Sequence, residues 1–244
     1  MSEPLPATSS GEVEMSTAET LTNIFFEPTR TFEALRTRPR FLVASLILLV
    51  LTIAVTGLLY LRVDMGAYIR EKMEKSPNSA QQTEQQKEMG VRIGKIMGGV
   101  LVPASVPVTI AAGAGLYLLG ALAFGGSLGY KKALAVWAYS SLPPGVFGTF
   151  VAVLVLFLKS ADSIDPEKLL VTNPGAFLSA ETTSPILIGF LSQFDVLRFY
   201  GMFLAALGLR KVGKMSSGGA WGVVITLWII GLMLRIGSAA LFGR

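Results

Sequence analysis

The chain has 244 residues, of which 52% are hydrophobic and 15% are charged, whereas a soluble domain carries about 25% charged residues. The absence of cysteine excludes disulfides and thiol nucleophiles, and the absence of histidine excludes Ser-His-Asp chemistry and histidine-ligated metal sites. The net charge of +5 is spread over the gaps between apolar runs, which indicates contacts with lipid headgroups and argues against a nucleic-acid partner.

The N-terminal region precedes the first long apolar run. Residues 1–18 are small, polar and acidic without apolar periodicity, which predicts a disordered tail. Residues 19–40 predict an interfacial amphipathic segment, because Pro28 suits the first turn of a helix and Phe32 and Leu35 share one face. This segment is either a juxtamembrane anchor lying on the bilayer or a docking surface for a partner.

The first uncharged apolar run, Phe41–Leu61, has 21 residues and reaches about 30 Å as a helix, the thickness of the hydrocarbon core. The polar segment 62–95 follows, with seven basic and five acidic residues. Its first half is expected to extend the first helix beyond the membrane. In its second half Met89, Ile93 and Ile96 recur at helical spacing, which predicts a helix that leads into the second span.

Adjacent prolines interrupt the third apolar run. Ala133–Leu158 carries no charge, but Pro143 and Pro144 remove two neighbouring backbone donors, so the helix is expected to bend or restart there. The two prolines are a candidate hinge, and a static kink that widens the bundle is the simpler interpretation.

Two opposite charges lie inside the fourth apolar run, Pro185–Leu209. Asp195 and Arg198 are three residues apart, so on one helix they share a face and can form an ion pair. Deep in a bilayer each unpaired charge would cost about 2.5–3.5 kcal/mol, which favours a bundle interior or a water-filled path. The alternative is that the fourth helix begins near Phe194, with Asp195 as its cap and an interfacial hairpin before it.

These runs predict an all-α integral membrane bundle of about five transmembrane helices within residues 41–244. Basic residues in the short loops, Lys131 and Arg210 among them, favour a cytoplasmic N-terminus and an external C-terminus in the plasma (inner) membrane. The basic residues of segment 62–95 argue for the opposite orientation. Arg235 in the last run can reach the outer interface by snorkelling. The predicted spans are residues 41–61, 100–124, 133–158, 190–210 and 219–242.

Gly125–Gly129 matches the G-x-S-x-G pattern of serine hydrolases. That site needs a strand-to-helix turn and a base, usually histidine, which this chain does not contain. We interpret the segment as a flexible turn between spans. No catalytic, cofactor-binding or metal-binding residue is predicted, and no enzymatic activity is expected.

A set of short stretches in a fixed order lies along residues 20–240. In order and spacing they resemble the Yip family of small polytopic membrane proteins, named for interacting with Ypt/Rab GTPases. The stretches are Phe26–Phe32 before the first span, Gly129–Tyr130 opening the third, Tyr139–Pro143 within it, Asp195–Leu209 opening the fourth, and Ser216–Ala220 before the fifth.

The resemblance implies a five-helix bundle with a cytoplasmic N-terminus. Eukaryotic members of the family are associated with vesicle traffic and Rab recruitment. Their long acidic N-terminal region is reduced here to about 40 residues, so the chain looks more like the bacterial branch, which is sometimes linked to export machinery.

Two functions of different classes follow as hypotheses. The first is a non-catalytic membrane protein that acts through contacts with lipids, with other membrane proteins such as an exporter, or with itself. It would use the interfacial segment and segment 62–95. The second is a transporter or channel component with Asp195 and Arg198 on a polar path.

Overall fold

The computed structural model describes residues 14–76, 81–179 and 182–242. Within these ranges the chain forms helices joined by turns, with no β-strand, and the all-α membrane fold predicted from the sequence is confirmed. In chain order the α-helices are α1 Thr17–Phe26, α2 Pro28–Thr37, α3 Leu42–Arg62, α4 Met65–Glu74, α5 Glu84–Ile96, α6 Val102–Ala123, α7 Tyr130–Leu158, α8 Pro185–Leu191, α9 Val196–Val212 and α10 Ser217–Phe242.

Four of the described helices are long and apolar enough to cross a membrane. They are α3, the 40-residue helix formed by α5 and α6, α7 and α10. A fifth span is present if α8 and α9 are taken together, although they are bent by 46° at the break between them. This number agrees with the predicted bundle of about five helices.

The first span ends earlier than its polar continuation suggested. Val63 is in an extended conformation and ends α3, and Asp64 then starts α4 as a separate helix. The Asp64 carboxylate accepts hydrogen bonds from the backbone N–H groups of Gly66 at 2.8 Å and Ala67 at 3.1 Å. The expectation that α3 would extend beyond the membrane was therefore wrong, because an aspartate cap favours a new helix at this point.

Segment 62–95 folds back as a helical pair in which α5 lies against α4. Glycines at four-residue spacing on α5 allow this close approach. A Cβ atom at Gly90 would lie 2.6 Å from Met73 Cε, and one at Gly94 would lie 3.0 Å from Ile69 Cδ1. Helix α5 then continues through the π-helical turn Met97–Leu101 into α6, as the apolar periodicity predicted.

Helix α7 runs through both of its internal prolines without ending or restarting. Pro143 and Pro144 cannot donate to the carbonyls of Tyr139 and Ser140, the residues four positions earlier. Helix α9 packs closely on this region, since a Cβ atom at Gly201 would lie 3.4 Å from Pro144 Cγ and 3.6 Å from the Ser140 carbonyl oxygen. Neighbouring helices stabilise such proline-containing spans.

The N-terminal helices pack on protein. Ser16 starts α1 with a capping box, so the disordered tail predicted for residues 1–18 ends before this residue. Residues 1–13 lie outside the described ranges. Phe32 and Leu35 of α2 are fully buried in the main core, mostly against α9. The apolar face expected to lie on the bilayer is therefore covered by the chain's own helices.

The two ends of the bundle differ in what they carry. The basic end holds α1, α2 and the turns around Lys131 and Lys214. A hydrogen bond from Ser127 N to Gly213 O at 3.0 Å joins these two turns. The loop end holds α4, α5 and the irregular segment 159–179. There the Arg62 side chain donates to the carbonyl oxygens at the end of α7 and just after it.

Candidate functional site

Asp195 is the N-cap of α9. Its carboxylate accepts hydrogen bonds from Leu197 N at 2.9 Å and Arg198 N at 3.1 Å. It also accepts from the Thr172 hydroxyl at 2.5 Å and from Asn173 Nδ2 at 3.4 Å. The same carboxylate thus starts the helix and fastens the loop-end segment 159–179 to it.

Asp195 and Arg198 do not form an ion pair with each other within the described part of the chain. The cap geometry turns the carboxylate toward the backbone, as in the alternative interpretation in which the fourth helix begins near Phe194. The short helix α8 precedes this cap and stands at an angle to α9. Both residues therefore lie within one turn of the start of α9, beside the middle part of α7, where a Cβ atom at Gly148 would lie 3.5 Å from Leu197 Cδ1.

A cavity of about 760 Å³ opens beside this helix start. This volume lies within the range of about 300–1,000 Å³ that is typical of ligand pockets. Its apolar wall comes from α3 and α7, and includes Leu51, Val55 and Ala152. Its polar wall includes Asp195, Arg198 and, from α10, Arg235.

The two arginines of the cavity carry its unpaired positive charge. Neither the Arg198 nor the Arg235 guanidinium takes part in an ion pair or a hydrogen bond with any described residue. Both residues are more than one-third exposed, and both lie on helices that belong to apolar segments. The cavity therefore holds two guanidinium groups without an ion-pair partner among the described residues, in an apolar part of the molecule.

Gln193 adds an unsatisfied acceptor to the same cavity. The residue is only 5% exposed, and its side-chain oxygen has no hydrogen-bond partner among the described residues. Its backbone carbonyl accepts from Trp228 Nε1 at 3.4 Å, which ties the turn before α9 to α10. A buried acceptor without a partner costs free energy, so it indicates a missing donor.

The acidic residues of the cavity are already engaged. Asp195 accepts hydrogen bonds from two backbone and two side-chain donors, as described above. Glu167 forms an ion pair with Lys72 of α4, with Nζ 2.6 Å from Oε1. The positive charge of the two arginines is therefore not cancelled by a direct acidic partner.

A polar cluster holds α4 on the segment 159–179 at the loop end. The Tyr68 hydroxyl donates to Asp165 Oδ1 at 3.2 Å, beside the Lys72–Glu167 pair. Burial raises the pKa of Tyr68 to about 12, and the nearby carboxylates of Glu167 and Asp165 add to the rise while Lys72 opposes it. The tyrosine is thus neutral at physiological pH and acts as a donor.

The candidate hinge lies between two cavities. Pro144 lines the large cavity and also a second one of about 380 Å³, while Pro143 is buried. Asp195 and Arg198 line both cavities as well. The structure therefore brings the predicted hinge and the predicted polar pair to one region, although they are about 50 residues apart in the chain.

Comparison with protein families gives one result that covers most of the chain. The Yip1 domain family matches residues 22–237. The chain belongs to the Yip1 family. The comparisons with curated proteins and with solved structures find no match.

The Yip1 match includes every residue of the cavity, from Leu51 to Arg235. Sequence reasoning singled out Asp195 and Arg198 of this Yip1 family protein, but it missed Gln193 and gave Arg235 no role. A charge inside an apolar run was the signal that could have linked Arg235 to the site. Gln193 carried no such signal, because it is an uncharged residue in the irregular stretch between α8 and α9.

In the part of the Yip1 chain that the structure describes, nothing around Ser127 resembles a hydrolase site. This residue lies in the turn between α6 and α7, and its backbone N–H is bonded to Gly213. A nucleophile elbow places its serine between a strand and a helix. Among the described residues there is also no group of three or more acidic side chains placed to hold a metal ion.

Proposed function

We propose that this Yip1 family protein is a non-catalytic membrane protein that acts by binding another membrane protein through α5. The observation that carries this proposal is an apolar stripe on the outer face of that helix. Met89, Ile93 and Ile96 are 54%, 48% and 53% exposed. Exposed apolar patches of this kind mark sites of interaction.

The stripe lies on the part of the helix that extends past the bilayer. The continuous helix from α5 to α6 has 40 residues and is about 60 Å long. The hydrocarbon core is about 30 Å thick, and α6 alone spans it. Most of α5 therefore projects past the loop end, so that lipid does not cover Met89 and Ile93, while Ile96 lies level with Tyr60 at the end of α3.

The chemistry of the stripe favours a protein partner. Helix α4 occupies the face of α5 that carries Gly90 and Gly94, about 100° around the helix from the stripe, and leaves the stripe exposed. Glu88 and Arg92 lie exposed among the apolar residues. A helix that lies on an anionic bilayer surface is rich in Lys and Arg on its polar face, whereas a mixed set of charges suits a protein surface.

The N-terminal segment is not used in this proposal, because its apolar face is buried. We assign the protein to the plasma membrane with its N-terminus in the cytoplasm, since the short turns at the basic end carry Lys and Arg. The loop end and α5 then lie outside the cell. The partner is a membrane protein with an apolar helix exposed on that side, and a subunit of an exporter fits this description.

Photo-crosslinking in intact cells tests the proposal. A photoreactive amino acid at Ile93 is expected to form one discrete heterologous adduct. The same group at Leu119, which is 64% exposed on α6 within the apolar span, serves as the control for lipid-facing positions. The substitution Ile93→Asn is expected to reduce recovery of that partner about tenfold, while Arg210→Gln at the exposed basic end leaves it nearly unchanged.

Two outcomes would overturn the proposal. One is an adduct only with a second copy of the chain, which would make the stripe a self-association surface. The other is no adduct at Ile93 beyond the background seen at Leu119. Unchanged amounts of each variant in the membrane show that a lost adduct does not reflect loss of the protein.

The second candidate function is a transporter or channel component. The observation that favours it is that Asp195 and Arg198 line two neighbouring cavities. Asp195→Asn keeps an N-cap side chain but removes the charge, so the fold is expected to stay intact. Loss of solute flux in reconstituted liposomes with an unchanged protein level would support this function, whereas loss of the protein alone would assign the residue a structural role.

A further inference from the structure

We propose that the large cavity binds an anionic phospholipid with a hydroxyl-bearing headgroup, with Arg198 and Arg235 as the contacts to its phosphate. This site is separate from the stripe on α5 and does not depend on the proposed partner. The proposal rests on three independent features of the cavity: its unpaired cations, its unsatisfied acceptor and its apolar wall.

The two arginines need an anion. An arginine in an apolar span carries a cost unless it is paired or hydrated. Arg198 and Arg235 come from different helices but line one cavity, and neither has a partner in the described residues. Guanidinium groups match phosphate oxygens in pairs of parallel hydrogen bonds, so a phosphate is the anion that this arrangement fits best.

The two arginines enter the cavity at different levels. Arg235 is seven residues from the last residue of α10, about 10 Å at 1.5 Å per residue. Arg198 lies in the first turn of α9, where a Cβ atom at Gly148 of α7 would lie 3.5 Å from Leu197 Cδ1, and Gly148 is about 15 Å from the end of α7 at Leu158. Arg235 is therefore the arginine closer to the phosphates of the loop-end leaflet.

Gln193 supplies the selectivity of the site. Its side-chain oxygen accepts hydrogen bonds but has no donor in the described residues. A headgroup hydroxyl next to the phosphate provides that donor, as in phosphatidylglycerol. Phosphatidylcholine has no hydroxyl or N–H group in its headgroup, and its net charge is zero.

The acyl chain has an apolar wall to follow. Leu51, Val55 and Leu59 lie on one face of α3 along the cavity, with Ala152 of α7 and Leu170 beside them. This wall runs along α3 from Leu59, near the loop end of the helix, to Leu51 near its middle. The cavity volume of about 760 Å³ leaves room for part of one chain, while the rest of the lipid stays in the leaflet.

Thermal unfolding of the purified protein in a mild non-ionic detergent tests this site. Phosphatidylglycerol is expected to raise the unfolding temperature in a saturable way, and phosphatidylcholine with the same acyl chains is not. Arg198→Gln and Arg235→Gln are each expected to weaken phosphatidylglycerol binding about tenfold. Arg210→Gln, at the exposed basic end, is the matched control and is expected to bind like the wild type.

Gln193→Leu separates binding from folding. Replacing a buried unsatisfied oxygen by an apolar group is expected to keep or raise the unfolding temperature of the lipid-free protein. The same variant is expected to bind phosphatidylglycerol several-fold more weakly. A purely structural role for Gln193 predicts a lower unfolding temperature without lipid and no change in lipid binding.

Three results would overturn the proposal. The first is equal stabilisation by both lipids. The second is equal binding of phosphatidylglycerol by the wild type and the Arg198→Gln/Arg235→Gln double variant. The third is that inorganic phosphate at the same concentration reproduces the effect, which would make the cavity a site for a free anion. Native mass spectrometry of the same samples counts the bound lipids directly.

Discussion

Asp195 shows how a charged residue in an apolar run can serve the backbone. Its oxygen atoms accept from two N–H groups at the start of α9 and from the side chains of Thr172 and Asn173. These bonds occupy the carboxylate without a contribution from the Arg198 side chain. The arginine is left free to face the cavity, which is why the two residues differ in the roles we assign to them.

Asp195→Ala is therefore expected to destabilise the fold. The variant loses the cap of α9 and the anchor of the segment 159–179, and removal of a cap costs about 0.5–2 kcal/mol. Thermal unfolding in detergent measures the effect. Asp195→Asn keeps a capping oxygen and should lie closer to the wild type, whereas equal losses in both variants would mean that the charge, rather than the cap, stabilises this turn.

Tyr68 gives the loop end a dependence on alkaline pH. Its pKa in the folded protein is raised to about 12, above its ordinary value near 10, mainly by burial. The folded state therefore keeps the phenol proton longer than the unfolded state, so stability is full below pH 10 and falls as the pH rises toward 12. Between pH 8 and pH 11.5 the free energy of unfolding should fall more steeply for the wild type than for Tyr68→Phe. Parallel curves would contradict this.

At the scale of helices, the N-terminal pair α1 and α2 is fixed to the bundle by a close contact at Gly208. A Cβ atom there would lie 2.7 Å from Val136 Cγ1 and 2.9 Å from Phe32 Cε1. An ion pair between Glu33 and Lys211 lies at the same interface, with 2.5 Å between Oε1 and Nζ. Close packing and charge together thus hold α2 on α9.

Gly208→Ala is expected to loosen α2. The added methyl group meets the buried ring of Phe32, and overpacking of this kind costs about 1–3 kcal/mol. Trypsin should then cut faster after Arg36. Gly115→Ala on α6 is the matched control, because no atom lies within 4 Å of its added Cβ. Trypsin should cut this control at the wild-type rate. Equal rates of cleavage for Gly208→Ala and Gly115→Ala would argue against this contact.

At the scale of the whole molecule, the two ends of the bundle fix how it sits in a membrane. The absence of native cysteine makes single-cysteine labelling simple. With a membrane-impermeant maleimide on intact cells, Ser163→Cys at the loop end should react at once. Lys131→Cys at the basic end should react only after permeabilisation. The reverse pattern would place the N-terminus outside and would move the stripe on α5 into the cytoplasm.

Much of the architecture was predictable from the order of residues. Long uncharged runs such as Phe41–Leu61 indicate membrane helices, because a buried backbone in lipid must satisfy its own hydrogen bonds. The periodic residues Met89 and Ile93 likewise predicted the helix that leads into the second span. Local features of this kind depend only on neighbours within a few turns.

The break at Val63 and Asp64 was missed for the opposite reason. A short polar stretch after an apolar run has two local solutions, a longer helix or a cap and a new helix. The choice depends on contacts with distant residues, here on Tyr68 reaching Asp165 and on Arg62 reaching the carbonyl oxygens at the end of α7. Periodicity carries no information about such contacts.

The order of residues was enough to predict that lipid surrounds most of this protein, that it has about five membrane helices, and that it belongs to the Yip1 family. Which polar groups meet became visible in the folded structure alone. Gln193, Arg198 and Arg235 come from different elements, and a cavity between helices exists only after those helices pack. Hydrophobic periodicity can be read along the chain, because it follows from the free energy of transferring each side chain between water and lipid. A site depends on distances between segments that are far apart in the chain, and these distances are set only when the helices pack.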